Sequence, residues 1–317
     1  MKKLNFRAAA RVCALVPAAL LATALTLSAC SSMEITPADL PDEETDRRPA
    51  DTQSIQGGSI ADADTVVLTF SGTSLSASVE DCGIEVAGNA FVITRGGSYE
   101  LRGDLSNGQV KVAVGKGEDV ELILNNFTAS CNASAPLYIE SANKAVIYLT
   151  EGSENHLTDA VQYQYPSADE DKPNACLYAA DDLTIKGTGT LYVTGRYNNG
   201  IGCRNDLRIR DCTLYITAPN NILKGNDSVE IEAATLTLSG GEDAIKSDTV
   251  DRADKGYILI AAGTRLSIQC SDDALQATQS ITVEPDTAVL GICGANIFNC
   301  PGAINADPYS VRIDVGG

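Results

Sequence analysis

The sequence predicts an all-β chain whose parallel strands coil into a solenoid, and three observations carry that reading. A frame repeats: Asn199 to Ile209 recurs 22 residues on at Asn221 to Ile231, and a further step of 22 sets Asp243-Ala244-Ile245-Lys246-Ser247 on Asn221 to Gly225. Single aliphatic positions, Ile185, Ile209, Ile231, Ile260 and Val283, follow one another at steps of 24, 22, 29 and 23. Aromatic residues make up only 5% of the chain and Trp is absent, which suits a core where each inward aliphatic residue stacks on its own kind. A unit of about 20 to 30 residues made of short strands cannot bury its apolar face alone, so neighbours must stack. A propeller blade needs about 40 residues in four antiparallel strands, and steps of 22 are too short for one.

Taken in order, residues 1–29 read as a bacterial lipoprotein signal. Lys2, Lys3, Arg7 and Arg11 begin it, an Ala/Leu/Val run follows, and Leu27-Ser28-Ala29-Cys30 resembles a lipobox whose Cys30 becomes the acylated N-terminus. The expected product is extracytoplasmic and lipid-anchored to the membrane or cell surface. Residues 30–60 are rich in Ser, Pro, Asp, Glu and Gly without apolar periodicity, as a solvated tether would be. Residues 61–317 then form one domain. Thr65 to Phe70 and Ala90 to Leu101 supply strands that cap the stack, since an uncapped end would leave an open apolar face.

Two early rungs follow, with Val120, Leu122 and Leu124 and then Ala145, Ile147 and Leu149 turned inward. Later rungs carry two strand segments each: Leu183 and Ile185 with Leu191 and Val193, Leu207 and Ile209 with Leu214 and Ile216, and so on to Ile281 and Val283 with Val289. Insertions at 162–172 and 248–255 lengthen two steps, and in a stacked coil such insertions become flanking loops that often border a binding face.

With 42 acidic and 23 basic residues the net charge is −19, and removal of the basic leader makes it more negative still. A nucleic-acid partner is therefore not expected, because its backbone would be repelled. A polyanionic sugar poses the same difficulty unless a cation lies between, and calcium, which takes carboxylate, amide and carbonyl oxygens, is the natural cofactor. His156 is the only histidine and there is no CxxC, so zinc is poorly supported. Beyond Cys30 the cysteines can be disulfide partners, with Cys293 and Cys300 the closest pair in sequence, or small buried hydrophobes, as the alignment of Cys203 with Ala179, Gly225 and Ser247 implies.

The rung turns place Asn199, Asn221, Asp243 and Asp273 two residues before an aliphatic position, so they should form a column; Asp182, Asp206 and Asp227 should form a second. Stacked asparagines can satisfy one another, whereas stacked carboxylates repel without a cation. Lys224 and Lys246 fall at equivalent places one rung apart and should point outward, where they can hold sugar carboxylates or lie as a solvated face. Arg204 and Arg196 lie nearby, and Tyr163 and Tyr165 in the first insertion can stack on sugar rings or pack the loop onto the body.

Gly97-Ser98-Tyr99-Glu100-Leu101-Arg102-Gly103, the segment Leu149 to Asp159, Asp181-Asp182-Leu183-Thr184-Ile185-Lys186-Gly187-Thr188-Gly189 and the Asn/Asp-(Gly)-Ile turns together resemble the pectate-lyase-like carbohydrate-binding β-helix lipoproteins of clostridial type, over about residues 62–292. The resemblance implies a single-stranded right-handed parallel β-helix that binds acidic plant polysaccharide, polygalacturonate above all, with calcium and without an established lyase activity. Members tend to carry Asp-Gly-Ile-Lys at the turns. Here Asp243-Ala244-Ile245-Lys246 keeps Asp and Lys, Asp273-Ala274-Leu275-Gln276 keeps Asp, and the two earlier turns carry Asn. That pattern concentrates the expected metal ligands at Asp243, Asp273, Asp272, Asp248 and Asp227, and the ligand-binding residues at Lys224, Lys246, Arg204, Tyr163 and Tyr165. A monomeric surface binder is expected, with a calcium-dependent lyase using Lys246 or Lys224 as base, and an inert envelope rod, as the alternatives.

Overall fold

The computed structural model describes residues 65–164 and 173–316, all within one unit, Gln56–Gly317. The expected signal peptide, Cys30, the tether and Tyr165 lie outside the described residues. Those described form 28 strands in two sheets, one of 18 strands and one of 10. Among them no helix is long and apolar enough to cross a membrane.

The all-β class holds, but the single-stranded right-handed β-helix solenoid is corrected. The strands do not form one uniform coil: 18 of them join a single large sheet that wraps nearly closed into a barrel-like shape, with two sets of parallel ladders in it. Pairing is not parallel throughout either, because Val66–Gly72 with Ser74–Ala77 and Ile84–Ala87 with Ala90–Ile93 are antiparallel hairpins. The physical reason is that an aliphatic repeat encodes which residue stacks on which, but not which strands share a sheet. The two hairpins fall where cap strands were expected, and they pair with strand edges that would otherwise be open.

Stacking itself follows the repeat. Ile185 pairs with Ile209, Ile209 with Ile231, Ile231 with Ile260 and Ile260 with Val283, each in parallel register. All five are at most 2% exposed, in one continuous core. Burying such a side chain contributes about 1.5–3 kcal/mol, and β-branched residues suit a pleated strand packed on both sides. At the early end Phe70 meets Phe91 edge-on at 5.3 Å and Phe127 at 5.4 Å, so the few aromatic core residues gather beneath the hairpins.

Each inward row continues into a corner, and the corners position the polar residues. The smaller sheet carries Asn199–Cys203, Leu223–Gly225, Ile245–Ser247, Leu275–Ala277 and Phe298–Asn299 as parallel neighbours. Asp206 pairs with Ser228, so the expected second column is corrected: Asp227 lies one residue out of register with Asp206. The turn Gly225-Asn226-Asp227-Ser228 aligns Asp227 with Asn205 instead, and Asp227 N–H accordingly donates to the Asn205 carbonyl at 3.1 Å.

Candidate metal and carbohydrate site

One corner column runs along the later half of the smaller sheet. Asn199, Asn221, Asp243, Asp273 and Asn296 each stand two residues ahead of Ile201, Leu223, Ile245, Leu275 and Phe298, which are in register. Backbone N–H groups of one layer donate to the side chain of the layer before: Asn221 N to Asn199 Oδ1 at 3.2 Å, Asp273 N to Asp243 Oδ1 at 3.3 Å, Asn296 N to Asp273 Oδ1 at 3.0 Å. At these three steps the acceptor is a side chain short enough to reach the corner, which Asn and Asp both satisfy, while the step from Asn221 to Asp243 lacks the bond.

The two residue types part in what they can give. Asn199 Nδ2 donates to Asn174 Oδ1 at 3.4 Å and Asn221 Nδ2 to Asn199 Oδ1 at 2.8 Å, so the amides extend a ladder. A carboxylate has no donor, and at Asp243 the ladder stops; Asn221 Oδ1 is left buried without a partner. Asp243 and Asp273 are 3% and 2% exposed, and their charges draw donors from elsewhere. Lys246 Nζ lies 2.9 Å from Asp243 Oδ2, Asn296 Nδ2 2.7 Å from Asp273 Oδ1, and Asn299 Nδ2 2.5 Å from Asp273 Oδ2.

Asp272 adds a third carboxylate. One oxygen from each of Asp243, Asp272 and Asp273 lies within 4.8 Å of the others, with Asp272 facing solvent. Its carboxyl is held above the usual range, first by desolvation and then by the negative charges of Asp273, Asp243 and Glu242, against the opposing Lys246. The donor set is oxygen only, with no sulfur or imidazole in it, and fits a hard cation.

A family model described as carbohydrate-binding domain-containing protein matches residues 87–296, and a relative of that description from Acetivibrio thermocellus (strain ATCC 27405) is 33% identical over 223 residues, 70% of this chain and 77% of the relative. The chain belongs to the carbohydrate-binding domain-containing protein family. The match spans the whole column from Asn174 to Asn296. A solved structure of a polysaccharide lyase-like protein from C. thermocellum, a gadolinium derivative, is similar at a TM-score of 0.75 and 34% identity, covering 79% of this chain and 99% of that one.

On this family member the other expected residues fall as follows. Lys224 and Lys246 are direct register neighbours in an outward row that continues through Gln276 and Asn299, and in the other direction through Gly202 to Tyr178. Gly202 interrupts the row because a Cβ there would come 2.9 Å from Ala175 Cβ and 3.3 Å from the Tyr178 ring. Neither lysine is idle: Lys224 Nζ lies 2.7 Å from Asp248 Oδ2, and Lys246 covers Asp243. Asp248 is therefore engaged outside the carboxylate trio.

Asp227 is likewise apart, bonded by Arg252 and by Thr249 Oγ1 at 2.9 Å. The 248–255 loop is pinned further by Lys255, whose Nζ sits 2.9 and 2.8 Å from the two oxygens of Asp206. Arg204 is exposed on the turn after Asn199–Cys203. Tyr163 stacks on Tyr197 at 4.2 Å, and its hydroxyl lies 2.6 Å from Asp159 Oδ2 and 2.9 Å from the Ala175 carbonyl. Burial raises the Asp159 carboxyl despite that bond and those from the Arg196 and Tyr197 backbone, so Tyr163 packs the insertion onto the body.

Asn174, Gln276, Asn296 and Asn299 are the polar neighbours that the sequence pattern did not single out. Asn296 precedes an aromatic, Phe298, where the other turns have Ile or Leu. Asn174 is 25 residues before Asn199 whereas Leu177 is 24 before Ile201, a one-residue slip that hides it.

Proposed function

We propose that this family member binds an acidic polysaccharide of the polygalacturonate type through calcium held by Asp243, Asp272 and Asp273. The observation that carries this reading is the carboxylate trio standing beside two outward lysines in register, on a chain whose surplus charge is negative. Calcium is a hard cation satisfied by oxygen ligands, and gadolinium, used in the C. thermocellum structure, is chemically of the same kind. A cation on the trio takes over the charge that Lys246 now neutralises at Asp243. Lys246, already near the surface and adjacent to Lys224, is then available to a uronate carboxylate. In this reading Cys30 carries the lipid, 30–60 is the tether, and the protein works as a monomer on the outer face of a bacterial membrane.

A calcium-dependent lyase is the second reading, favoured by the polysaccharide lyase-like relative, with Lys246 or Lys224 as base. Both amines are already tied to carboxylates, which favours binding over abstraction of a proton. Immobilised polygalacturonate separates the readings. Retention with calcium and release by EDTA, without absorbance from an unsaturated product, is expected; product formation establishes the lyase, and passage through the column at saturating calcium defeats both and leaves a rod.

A further inference from the structure

The cysteines differ in what stands opposite them. Ala179, Cys203 and Gly225 share one row of the smaller sheet, so Cys203 stacks on residues with no sulfur. Cys300 follows Asn299, which pairs with Gln276, so it continues that sheet beside Ala277, while Cys293 ends a strand of the larger sheet. The closest pair in sequence is therefore split between the two sheets.

Cys270 and Cys293 are placed otherwise. The ladder of Arg265–Gln269 with Ala288–Cys293 ends at Gln269 opposite Ile292, and Cys270 N–H then donates to the Ile292 carbonyl at 3.1 Å. In a parallel ladder that bond sets Cys270 directly opposite Cys293. Both side chains enter the same core, at 8% and 0% exposure, and both carry free thiols. Adjacent strands lie about 4.8 Å apart, inside the Cα separation of about 4.4–6.8 Å that a disulfide spans. Cys270 Sγ lies 3.4 Å from the Asp273 carbonyl.

We propose that Cys270 and Cys293 are a disulfide site, closed by thiol–disulfide exchange with a small-molecule or protein disulfide. One thiolate attacks the oxidant's S–S bond and releases a thiol, and the second thiolate attacks the resulting mixed disulfide and releases the other. Two thiols lose two electrons and two protons, and one disulfide of the oxidant becomes two thiols. Both thiols are buried in the folded core, so the exchange belongs to folding, before the core closes over them. The bond ties the turn bearing Asp272 and Asp273 to the turn bearing Asn296, which donates to Asp273. It thereby fixes the last two layers of the corner column without touching the carboxylates.

The test uses the full chain, exported by a host with an oxidising envelope, unfolded in an alkylating agent without reductant, and mapped by mass. Trypsin leaves Cys270, Cys293 and Cys300 between Arg265 and Arg312, and cleavage before Asp272 and Asp286 separates Cys270 from the other two. Linked peptides are expected in the wild type and in Cys300→Ser, and none after reduction or in Cys293→Ser. Reduction should also lower the melting temperature of the wild type. Complete alkylation of Cys270 without reductant, or a link that survives Cys293→Ser, overturns the proposal. Because the alkylation is read on unfolded chains, poor folding of a variant does not obscure the outcome.

Discussion

The corner column is one device used in two ways. At Asn199 the side chain accepts the Asn221 backbone N–H and amide and donates to Asn174, and Asn221 continues the ladder as a donor while its own Oδ1 stays unpartnered. At Asp243 and Asp273 the same backbone bond is kept, but the reciprocal donor is gone. Replacing an amide nitrogen by an oxygen costs a hydrogen bond in the ladder and adds a charge, and the surroundings change to meet it: Lys246 at Asp243, Asn296 and Asn299 at Asp273. The lesson is that a geometric requirement and a chemical opportunity occupy the same position. The amide region is closed on itself up to the Asn221 Oδ1, while the carboxylate region carries charge that neighbouring donors must meet.

The largest expected disturbance of that contrast is Asp273→Ala. It strips the acceptor from the Asn296 N–H and amide and from the Asn299 amide, and the cost of leaving such groups unpaired sets a loss of about 3 kcal/mol in urea unfolding. Asn221→Ala, which removes one rung of a ladder already missing a donor, should cost about 1 kcal/mol by the same measurement. A loss at Asn221 equal to that at Asp273 would erase the distinction between the two regions.

A smaller effect is expected from pH. Desolvation and the neighbouring carboxylates raise the Asp272 carboxyl, so the folded state holds its proton more tightly than the unfolded chain does. Ionisation of Asp272 then works against folding, and the penalty is relieved as pH falls below its raised value toward the ordinary one. Asp272→Asn should therefore stabilise slightly at neutral pH in EDTA, with the gain shrinking on acidification. Asp206 has the opposite sign: burial would raise it, but Lys255, Ser228 and Arg208 bring it below the usual range. Its contribution is present above the unfolded carboxylate value and lost as pH falls through the folded one, so the destabilisation by Lys255→Ala should fade toward acid pH.

Much of this contrast was legible in the sequence. The steps between Ile185, Ile209, Ile231, Ile260 and Val283 give the observed stacking register, and the Asn/Asp positions before Ile201, Leu223, Ile245 and Leu275 give the column. Both depend on local alternation of buried and turn residues, which sequence carries directly. What was not legible depends on relations between distant strands or on turn length. Sheet membership is one such relation, the one-residue offset of Asp227 another, and the opposition of Cys270 and Cys293 across 23 residues a third. The ion pairs of Lys224 with Asp248 and Lys255 with Asp206 arise because the 248–255 insertion folds back over earlier layers, and no periodic pattern records that.

The most direct test of the account is a calcium titration of melting temperature in the wild type and in Asp243→Asn. An amide at 243 can donate to the orphaned Asn221 Oδ1, as Asn221 does to Asn199, which offsets loss of the Lys246 pair and should leave metal-free stability within about 1 kcal/mol of the wild type. Calcium should raise the melting temperature of the wild type and leave that of Asp243→Asn unmoved. Equal shifts in both proteins, or none in either, would contradict a cation site in the carboxylate region.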